Sequence, residues 1–388
     1  MDVEGFLARL PEAWQARVTA FALRRFTLAG VARRSPALKM FARMLVNFGA
    51  DADEMRGAMA RVRGLQEVPA VFGDLARSLV ARGKAEPEAP KARDLFHRAA
   101  LYAFAADWFT LDDDAKPAAN ALVREAYDGY RLHALPRIER VEIGTSSGPI
   151  AGYFRVPEAV PSAQDGAPAV LIVQGFDSAK ELWARLEEPL LARGFATLTI
   201  DQPGAGEALA SGRKLQSWAP VRDAGEAALG WLRTHPAIDR HRVGIFGYSL
   251  GGHIAPRLSA EFPALVSACV GVGGPYDLSF AHRLPLHFQE RLRYVTGADA
   301  PETLVPILKQ VDLTGKLRHL RCPALVVHGG EDAIVPPEHA RILHDELGGP
   351  KELRIIPGGD HALSEQFLEV VVPAAVEWFA RHLIARPR

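Results

Sequence analysis

The sequence lacks an excess of charge of either sign, because 46 Lys and Arg residues are balanced by 46 Asp and Glu residues. A chain without a net positive field has no general attraction for nucleic acid or for an anionic membrane surface, so we expect neither as a partner. No apolar run reaches the ~18 residues that a membrane-spanning helix needs. The two cysteines, Cys269 and Cys322, make no disulfide framework for 388 residues. Because the first ten residues are acidic rather than basic, we expect a cytoplasmic protein.

Motifs for metals and nucleotides are also missing. The sequence has no H-E-x-x-H and no paired C-x-x-C, so it predicts no metal site. The stretch TIDQPGAGEA contains Gly204 and Gly206, but no Lys-Ser or Lys-Thr pair follows them. No G-x-G-x-x-G occurs either, which argues against a dinucleotide site. We therefore expect a small-molecule substrate and no cofactor.

The spacing of apolar residues along the chain changes near residue 135. Before that point apolar residues recur three and four positions apart, as in FHRAALYAFAADWF at 96–109, which predicts helices. Beyond it, short apolar strands alternate with amphipathic helices, and this alternation predicts a mostly parallel sheet with helices on both faces. We predict an all-helical domain over 1–135 and an α/β domain with eight strands over 136–388. A helical insertion is expected at about 279–316.

One helix of the α/β region has local boundary signals. In SAKELWARLEEPLLARG, Ser178 and Glu181 have the spacing of a capping box. Gly194 is placed to end the helix in a left-handed turn. We therefore expect Ser178 to cap this helix.

The stretch HRVGIFGYSLGGHIA ends an apolar strand with a G-x-S-x-G motif. Ser249 would stand on a sharp turn between strand and helix, where side chains at Gly247 and Gly251 would collide with the flanking elements. The turn would lift the hydroxyl above the carboxyl edge of the sheet, near the positive end of the next helix. The backbone N–H of Leu250 would then face the oxyanion of a reacting carbonyl. Ser249 is the predicted nucleophile.

A serine nucleophile needs a base, and this scaffold orders the residues as serine, acid and histidine. Asp332 follows the strand in ALVVHGGEDAIVP, and His361 follows the next strand in ELRIIPGGDHAL. Both would lie at the same sheet edge as Ser249, so we predict a Ser249–His361–Asp332 triad. Rival bases are His253 and His328, and rival acids are Glu331 and Asp360.

The loop QGFDSAKE follows the first parallel strand, where a second oxyanion donor is expected. The backbone N–H of Phe176 is the candidate donor. Aromatic side chains could line the substrate pocket, and four are candidates: Tyr102, Trp108, Tyr248 and Tyr276.

Several motifs together resemble the α/β-hydrolase superfamily over about residues 137–388. More narrowly, the sequence is similar to the FrsA-like esterases and the dihydroxypseudooxynicotine hydrolase group. The helical first third also looks like the amino-terminal domain of that group. The motifs that carry the resemblance are GFDSAKE at 175–181, DQPGAGE at 201–207, GYSLGG at 247–252, GGPYDL at 273–278 and GDH at 359–361.

The resemblance implies an α/β-hydrolase fold with the helical domain packed as a lid over the pocket, and often a homodimer. It implies hydrolysis of a small to medium carbonyl substrate, in the first place a carboxylic ester. Members of the group also cleave carbon–carbon bonds beside ketones, so a β-diketone or polyketide-like substrate is the alternative. A non-catalytic binding protein on a hydrolase scaffold is the alternative from another class.

Overall fold

The computed structural model describes residues 36–158 and 166–384. Within these ranges, helices occupy the chain up to Leu132 and the first strand begins at Ile138. The helices before the sheet are α1 (Pro36–Asn47), α2 (Ala52–Arg61), α3 (Val68–Ala85), α4 (Ala89–Phe109) and α5 (Lys116–Leu132). None of the helices in the described ranges is long and apolar enough to cross a membrane.

Helix α4 is the centre of the helical region, because its apolar residues face every direction and most of them are buried. Helices α3 and α5 pack against it on two sides. A buried ion pair joins α4 to α5, with Lys116 Nζ 2.8 Å from Asp107 Oδ2. Both helices begin with a proline in the first turn, where the missing N–H costs no hydrogen bond.

The second region is built on one eight-stranded sheet in the order β1-β2-β4-β3-β5-β6-β7-β8. Strands β1 and β2 form an antiparallel hairpin, and β2 also pairs with β4 in the antiparallel direction. All the other pairings are parallel. The strands are β1 (Ile138–Ile143), β2 (Ile150–Arg155), β3 (Ala167–Val173), β4 (Ala196–Ile200), β5 (Ile238–Tyr248), β6 (Ala268–Val272), β7 (Ala324–Gly329) and β8 (Lys351–Ile356). The parallel pairings place the carboxyl ends of β3 to β8 at one edge of the sheet.

Helices cover both faces of the sheet, as the apolar strands require. The helices of the sheet region are α6 (Ala184–Ala192), α7 (Gly206–Ala210), α8 (Trp218–Thr234), α9 (Leu250–Glu261), α10 (Leu286–Thr296), α11 (Pro301–Leu308), α12 (Glu338–Glu346) and α13 (Val372–Phe379). Helices α10 and α11 lie between β6 and β7, within the stretch where the sequence predicts a helical insertion.

Each face of the sheet has its own apolar core. In β3, Leu171 and Val173 share a cluster with residues of α8 and α9. Val170 and Ile172 belong to the other cluster, which also contains the buried residues of the helical region. The helical region is therefore packed directly on the sheet region, and a domain division at residue 135 remains a prediction.

The predicted capping box is wrong. The helix starts at Ala184, after a short 3-10 turn at Lys180–Leu182, and no side chain caps it. The Ser178 hydroxyl instead accepts a hydrogen bond from the Gly175 N–H at 2.7 Å. The prediction for Gly194 is confirmed, since it follows the helix with a φ of +86°.

Candidate active site

Ser249 occupies a sharp turn between β5 and α9, with φ 55° and ψ −121°. This backbone conformation is one that L-residues rarely adopt, and it costs of the order of 1–3 kcal/mol. The turn needs its flanking glycines, because a Cβ on Gly247 would lie 1.9 Å from the Gly251 carbonyl oxygen. A Cβ on Gly251 would lie 2.5 Å from the carbonyl oxygen of Val173. The motif thus brings two backbone segments too close together for any side chain.

The structure brings together the three residues of the predicted triad. Ser249 Oγ lies 2.9 Å from His361 Nε2. The other ring nitrogen, His361 Nδ1, lies 2.8 Å from Asp332 Oδ2. Their positions follow from the parallel sheet, because Ser249, Asp332 and His361 lie beyond the carboxyl ends of β5, β7 and β8.

The Asp332 carboxylate is held by several donors. Its Oδ1 accepts hydrogen bonds from the backbone N–H groups of Ile334 at 2.9 Å and Val335 at 2.8 Å. The rival base His328 lies beside this acid rather than beside the serine. Its Nε2 donates to the Val335 carbonyl at 2.9 Å and lies 3.3 Å from Asp332 Oδ2. These contacts fix the orientation of the carboxylate that binds His361.

The other rival residues have separate partners. His253 is buried, with its Nδ1 3.0 Å from the carbonyl oxygen of Pro275. Glu331 is exposed to solvent. Asp360 accepts a hydrogen bond from the Ser364 hydroxyl. None of the three contacts Ser249 in the described structure.

The charges of His361 and Asp332 are complementary. Burial lowers the pKa of His361, but the charge of Asp332 and its hydrogen bond outweigh burial, so the pKa lies above the ordinary 6.5. Burial raises the pKa of Asp332, but the opposing charge and hydrogen bonds of His361 and His328 hold it well below the ordinary value. The charge of Asp332 therefore stabilises the imidazolium that forms when His361 accepts a proton.

Two backbone N–H groups beside Ser249 match the predicted oxyanion donors. Leu250 opens helix α9, and first-turn N–H groups have no partner within their own helix. Phe176 lies in the loop after β3, next to Gly175. Within residues 36–158 and 166–384, neither N–H donates a hydrogen bond to the protein. Both remain available for a ligand oxygen.

A buried ion cluster holds the Phe176 loop. Lys180 Nζ lies 2.6 Å from Glu181, 2.8 Å from Asp201 and 2.8 Å from Glu207. Burial lowers the pKa of Lys180, but the carboxylates together raise it well above the ordinary value. Burial raises the pKa of Glu181 to about 7. The cluster ties the loop after β3 to the loop after β4. Sequence reasoning missed this role, although charged residues in DSAKE and DQPGAGE were its signal.

Two cavities meet at Ser249 and His361. The first, here called the apolar cavity, is walled mainly by side chains from the segment between β6 and β7, among them Phe280, Phe288, Leu292 and Leu308. The second, here called the α1 cavity, is lined by Met40, Phe41 and Met44 of α1 together with Tyr248, Ser178 and Ser364. The helical region thus forms one wall of the space above the serine.

Tyr248 and Trp108 lie near these cavities. Tyr248 lines the α1 cavity, as predicted for a pocket residue. Trp108 is buried one layer behind the cavity walls, with ring centroids 5.1 Å from Phe41 and 5.7 Å from Phe288. Trp108 supports both walls without lining either cavity, so its prediction as a pocket residue is wrong.

The other two aromatic candidates require correction, because their hydroxyl groups bind elsewhere. Tyr102 is buried inside the helical region, and its hydroxyl donates to Glu54 at 3.0 Å. The Tyr276 hydroxyl donates to Glu346 at 2.7 Å, on α12. Neither lines the apolar cavity or the α1 cavity. The aromatic residue type alone does not distinguish a side chain that is buried in the core from one that contacts a ligand.

The comparison with protein families agrees with this arrangement. A sequence model described as "Esterase FrsA-like" matches residues 75–285, which is more than half of the chain. The chain belongs to the FrsA-like esterase family. The match includes part of the helical region and the strand–turn–helix around Ser249.

Several FrsA-like relatives are known by name. The 2,6-dihydropseudooxynicotine hydrolase of Paenarthrobacter nicotinovorans is 29% identical over 271 residues, which is 66% of this chain and 71% of that protein. An esterase FrsA of Vibrio cholerae serotype O1 is 29% identical over 196 residues, which is 49% of this chain. The matched segment spans only 45% of that esterase's length.

Solved structures show the same fold. The crystal structure of 2,6-dihydroxy-pseudo-oxynicotine hydrolase has a TM-score of 0.78 and 26% identity, covering 88% of this chain and 96% of that one. Wild-type AbyA5 has a TM-score of 0.65 at 22% identity, covering 86% and 93%, and this likeness concerns the fold alone. The predicted α/β-hydrolase fold with a helical amino-terminal region is confirmed, as is membership in a family of hydrolases.

Proposed function

We propose that this FrsA-like protein is a serine hydrolase that cleaves a small to medium carboxylic ester. The observation that carries the proposal is the continuous line of contacts from Ser249 through His361 to Asp332, at the junction of two cavities. A binding protein would have no need of such a line, since a serine acts as a nucleophile only when a base accepts its proton.

In the proposed reaction, Ser249 Oγ attacks the ester carbonyl carbon while its proton passes to His361 Nε2. The N–H groups of Phe176 and Leu250 bind the oxyanion, and each such donor contributes about 3 kcal/mol in enzymes of this kind. His361 then protonates the leaving alcohol as the acyl–oxygen bond breaks. A water molecule, deprotonated by His361, attacks the acyl-enzyme and releases the carboxylic acid. Asp332 stabilises the imidazolium throughout.

The surroundings of the site suggest further features of the proposal. The helical region acts as a lid, because α1 contributes a wall of the α1 cavity. The partner is a small molecule, since the cavities above Ser249 are largely apolar and enclosed by helices. We also propose a cytoplasmic protein that forms homodimers.

The test replaces Ser249 with alanine and measures hydrolysis of p-nitrophenyl acetate together with labelling by a fluorophosphonate probe. We expect labelling to disappear and turnover to fall by at least about 10³-fold. Ser259→Ala is the matched control, because Ser259 lies in the helix that follows the turn and donates to Ala255 at 2.8 Å. Unchanged turnover and labelling in the Ser249 variant would exclude the proposed nucleophile.

A second candidate is hydrolysis of a carbon–carbon bond in a β-diketone or polyketide-like substrate. It is favoured by the similarity to 2,6-dihydroxy-pseudo-oxynicotine hydrolase, which extends over the helical region as well as the sheet. The same residues would serve, but His361 would protonate a carbanion or enolate instead of an alkoxide. Product analysis distinguishes the two, because an ester releases an alcohol and a β-diketone releases a ketone.

A further inference from the structure

Asp177 is a charged residue at the centre of the site that the proposed reaction does not use. It directly follows Phe176 in the loop after β3. It lines the apolar cavity and the α1 cavity, and among the described residues only Ser249 and His361 also line both. Asp177 is therefore placed beside the reacting atoms of any ligand that fills either cavity.

The Asp177 carboxylate has no hydrogen-bond donor among the residues that the structure describes. In the part of the chain that the structure describes, no N–H or O–H group donates to it, and no cation lies within ion-pair distance. Arg291 interacts with it electrostatically, but the Arg291 Nη1 donates to the Trp108 carbonyl oxygen at 2.7 Å. The guanidinium also lies 4.7 Å from the centre of the Trp108 ring. Nη1 of Arg291 is thus bonded elsewhere, and its Nε is buried without a hydrogen-bond partner in the described structure.

An unbonded carboxylate in this environment is costly. The apolar cavity presents mostly aliphatic and aromatic carbon around Asp177. Burial raises the pKa of Asp177, although the charges of His361 and Arg291 act in the opposite direction. The Asp177 side chain is half-buried in the folded chain, and a ligand that fills the apolar cavity would shield its carboxylate from water. An acceptor shielded in this way without a donor costs free energy, and more when it is charged. A ligand that supplies the missing donor recovers this cost, whereas a ligand without one leaves it in place.

The position along the chain limits which ligand atom can supply the donor. Adjacent Cα atoms are about 3.8 Å apart, and the N–H of Phe176 is the proposed contact for the carbonyl oxygen. The Asp177 carboxylate can therefore reach only groups within a few bonds of the reactive carbonyl. The charges favour a neutral donor. A hydroxyl group bonds the carboxylate without adding a further positive charge beside Arg291 and the imidazolium that forms on His361.

We propose that Asp177 accepts a hydrogen bond from a hydroxyl group that the substrate carries close to its scissile carbonyl. The substrate class is then a hydroxy-substituted ester or ketone whose remainder is apolar. This inference rests on the proposed role of Ser249. It assigns Asp177 as the residue that selects among carbonyl substrates.

The experiment compares substrates that differ only in the donor. Ethyl 2-hydroxybutanoate and ethyl 3-hydroxybutanoate are each paired with the methoxy ester, which accepts hydrogen bonds but donates none. For the wild type we expect kcat/KM to favour at least one hydroxy ester by about 10–150-fold, since a hydrogen bond to a charged group is worth about 1.5–3 kcal/mol. Asp177→Ala should bring this ratio close to one. The isosteric Asp177→Asn, which keeps an acceptor oxygen, should give an intermediate ratio.

The matched control is Asp360→Asn, which removes another carboxylate next to His361. Asp360 is bonded to the Ser364 hydroxyl, so we expect its variant to keep the wild-type ratio. If the enzyme prefers ketones and does not hydrolyse these esters, the same compounds are tested as ligands. The concentrations at which they protect the protein from the fluorophosphonate probe then give the preference for the hydroxy compound over the methoxy compound. Labelling also shows whether each variant is folded, and the Asn variant replaces the Ala variant if the latter is not.

Two results would overturn the inference: a wild type without preference for either hydroxy compound, or a preference that both Asp177 variants retain. Neither result affects the proposed nucleophile, which is tested by Ser249→Ala on plain esters. If Ser249→Ala abolishes turnover and labelling while the Asp177 variants keep the wild-type ratio, only the inference about Asp177 fails. If Ser249→Ala retains both, the proposed function itself is refuted.

Discussion

Replacing Ser249 with glycine should leave a protein that is inactive and more stable than the one with alanine. At φ 55° and ψ −121°, a side chain costs of the order of 1–3 kcal/mol of strain, which glycine does not experience. Glycine loses about 0.5–1 kcal/mol relative to alanine, because its unfolded chain is more flexible. The difference favours Ser249→Gly over Ser249→Ala by about 0.5–2 kcal/mol in the free energy of unfolding. Both variants lack the hydroxyl, so the comparison isolates the backbone.

The control is the same pair of changes at Ser78, an exposed residue in the middle of helix α3. There glycine should be less stable than alanine by about 1 kcal/mol, so the sign is opposite to that at Ser249. The measurement is urea denaturation of the four variants, with thermal unfolding as a second readout. In a chain of this size, 1 kcal/mol corresponds to about 1–2 °C in Tm, scaled from smaller domains. If glycine is the less stable residue at both positions, the strain assigned to Ser249 does not exist.

Two further predictions concern charges at the site. Asp332→Asn should lower turnover by about 10⁴-fold and move the acidic limb of the kcat/KM profile to lower pH, because His361 loses the charge that raises its pKa above 6.5. The pH profile of kcat/KM is measured from pH 5 to 9, and the exposed Asp345→Asn serves as the control. The role of Asp332 is contradicted if the acidic limb stays in place in Asp332→Asn or moves in the control. Lys180→Met should destabilise the protein by about 3–5 kcal/mol in urea denaturation, because three carboxylates lose their buried cation. The exposed ion-pair control Lys84→Met should cost less than about 1 kcal/mol, and equal losses would refute the role of the buried cluster.

Local patterns were sufficient for much of the fold. The continuous apolar run of β3 is buried along its whole length, because a parallel strand is covered on both faces. The turn at Ser249 was predictable from its motif, although only Gly247 is required by a near neighbour, Gly251, whereas Gly251 is required by the approach of Val173 in β3. Gly194 ends its helix as expected from its own conformational freedom. In each case the sequence signal lies within a few residues, even where the interaction that it indicates is with a distant segment.

The partners of individual side chains were not predictable in this way, whether those partners are near or far along the chain. Ser178 has the spacing of a helix cap, yet its hydroxyl binds the turn that precedes it. Tyr102 was a pocket candidate by residue type, but Glu54 of another helix binds its hydroxyl. His328 was a rival base, and only the approach of the loop after β7 places it beside Asp332. Each of these roles depends on which surface a side chain meets after folding.

The sequence by itself determined the strands, the serine turn and the order of the chemically active residues, because these depend on local sterics and on the periodicity of apolar side chains. Only the tertiary structure decided which charges are satisfied. It buried Lys180 among carboxylates and placed Asp177 between two cavities, where no donor from the described part of the chain reaches it. The physical reason is that the cost of a buried charge depends on partners that are far away along the chain, and folding alone brings those partners near or keeps them apart.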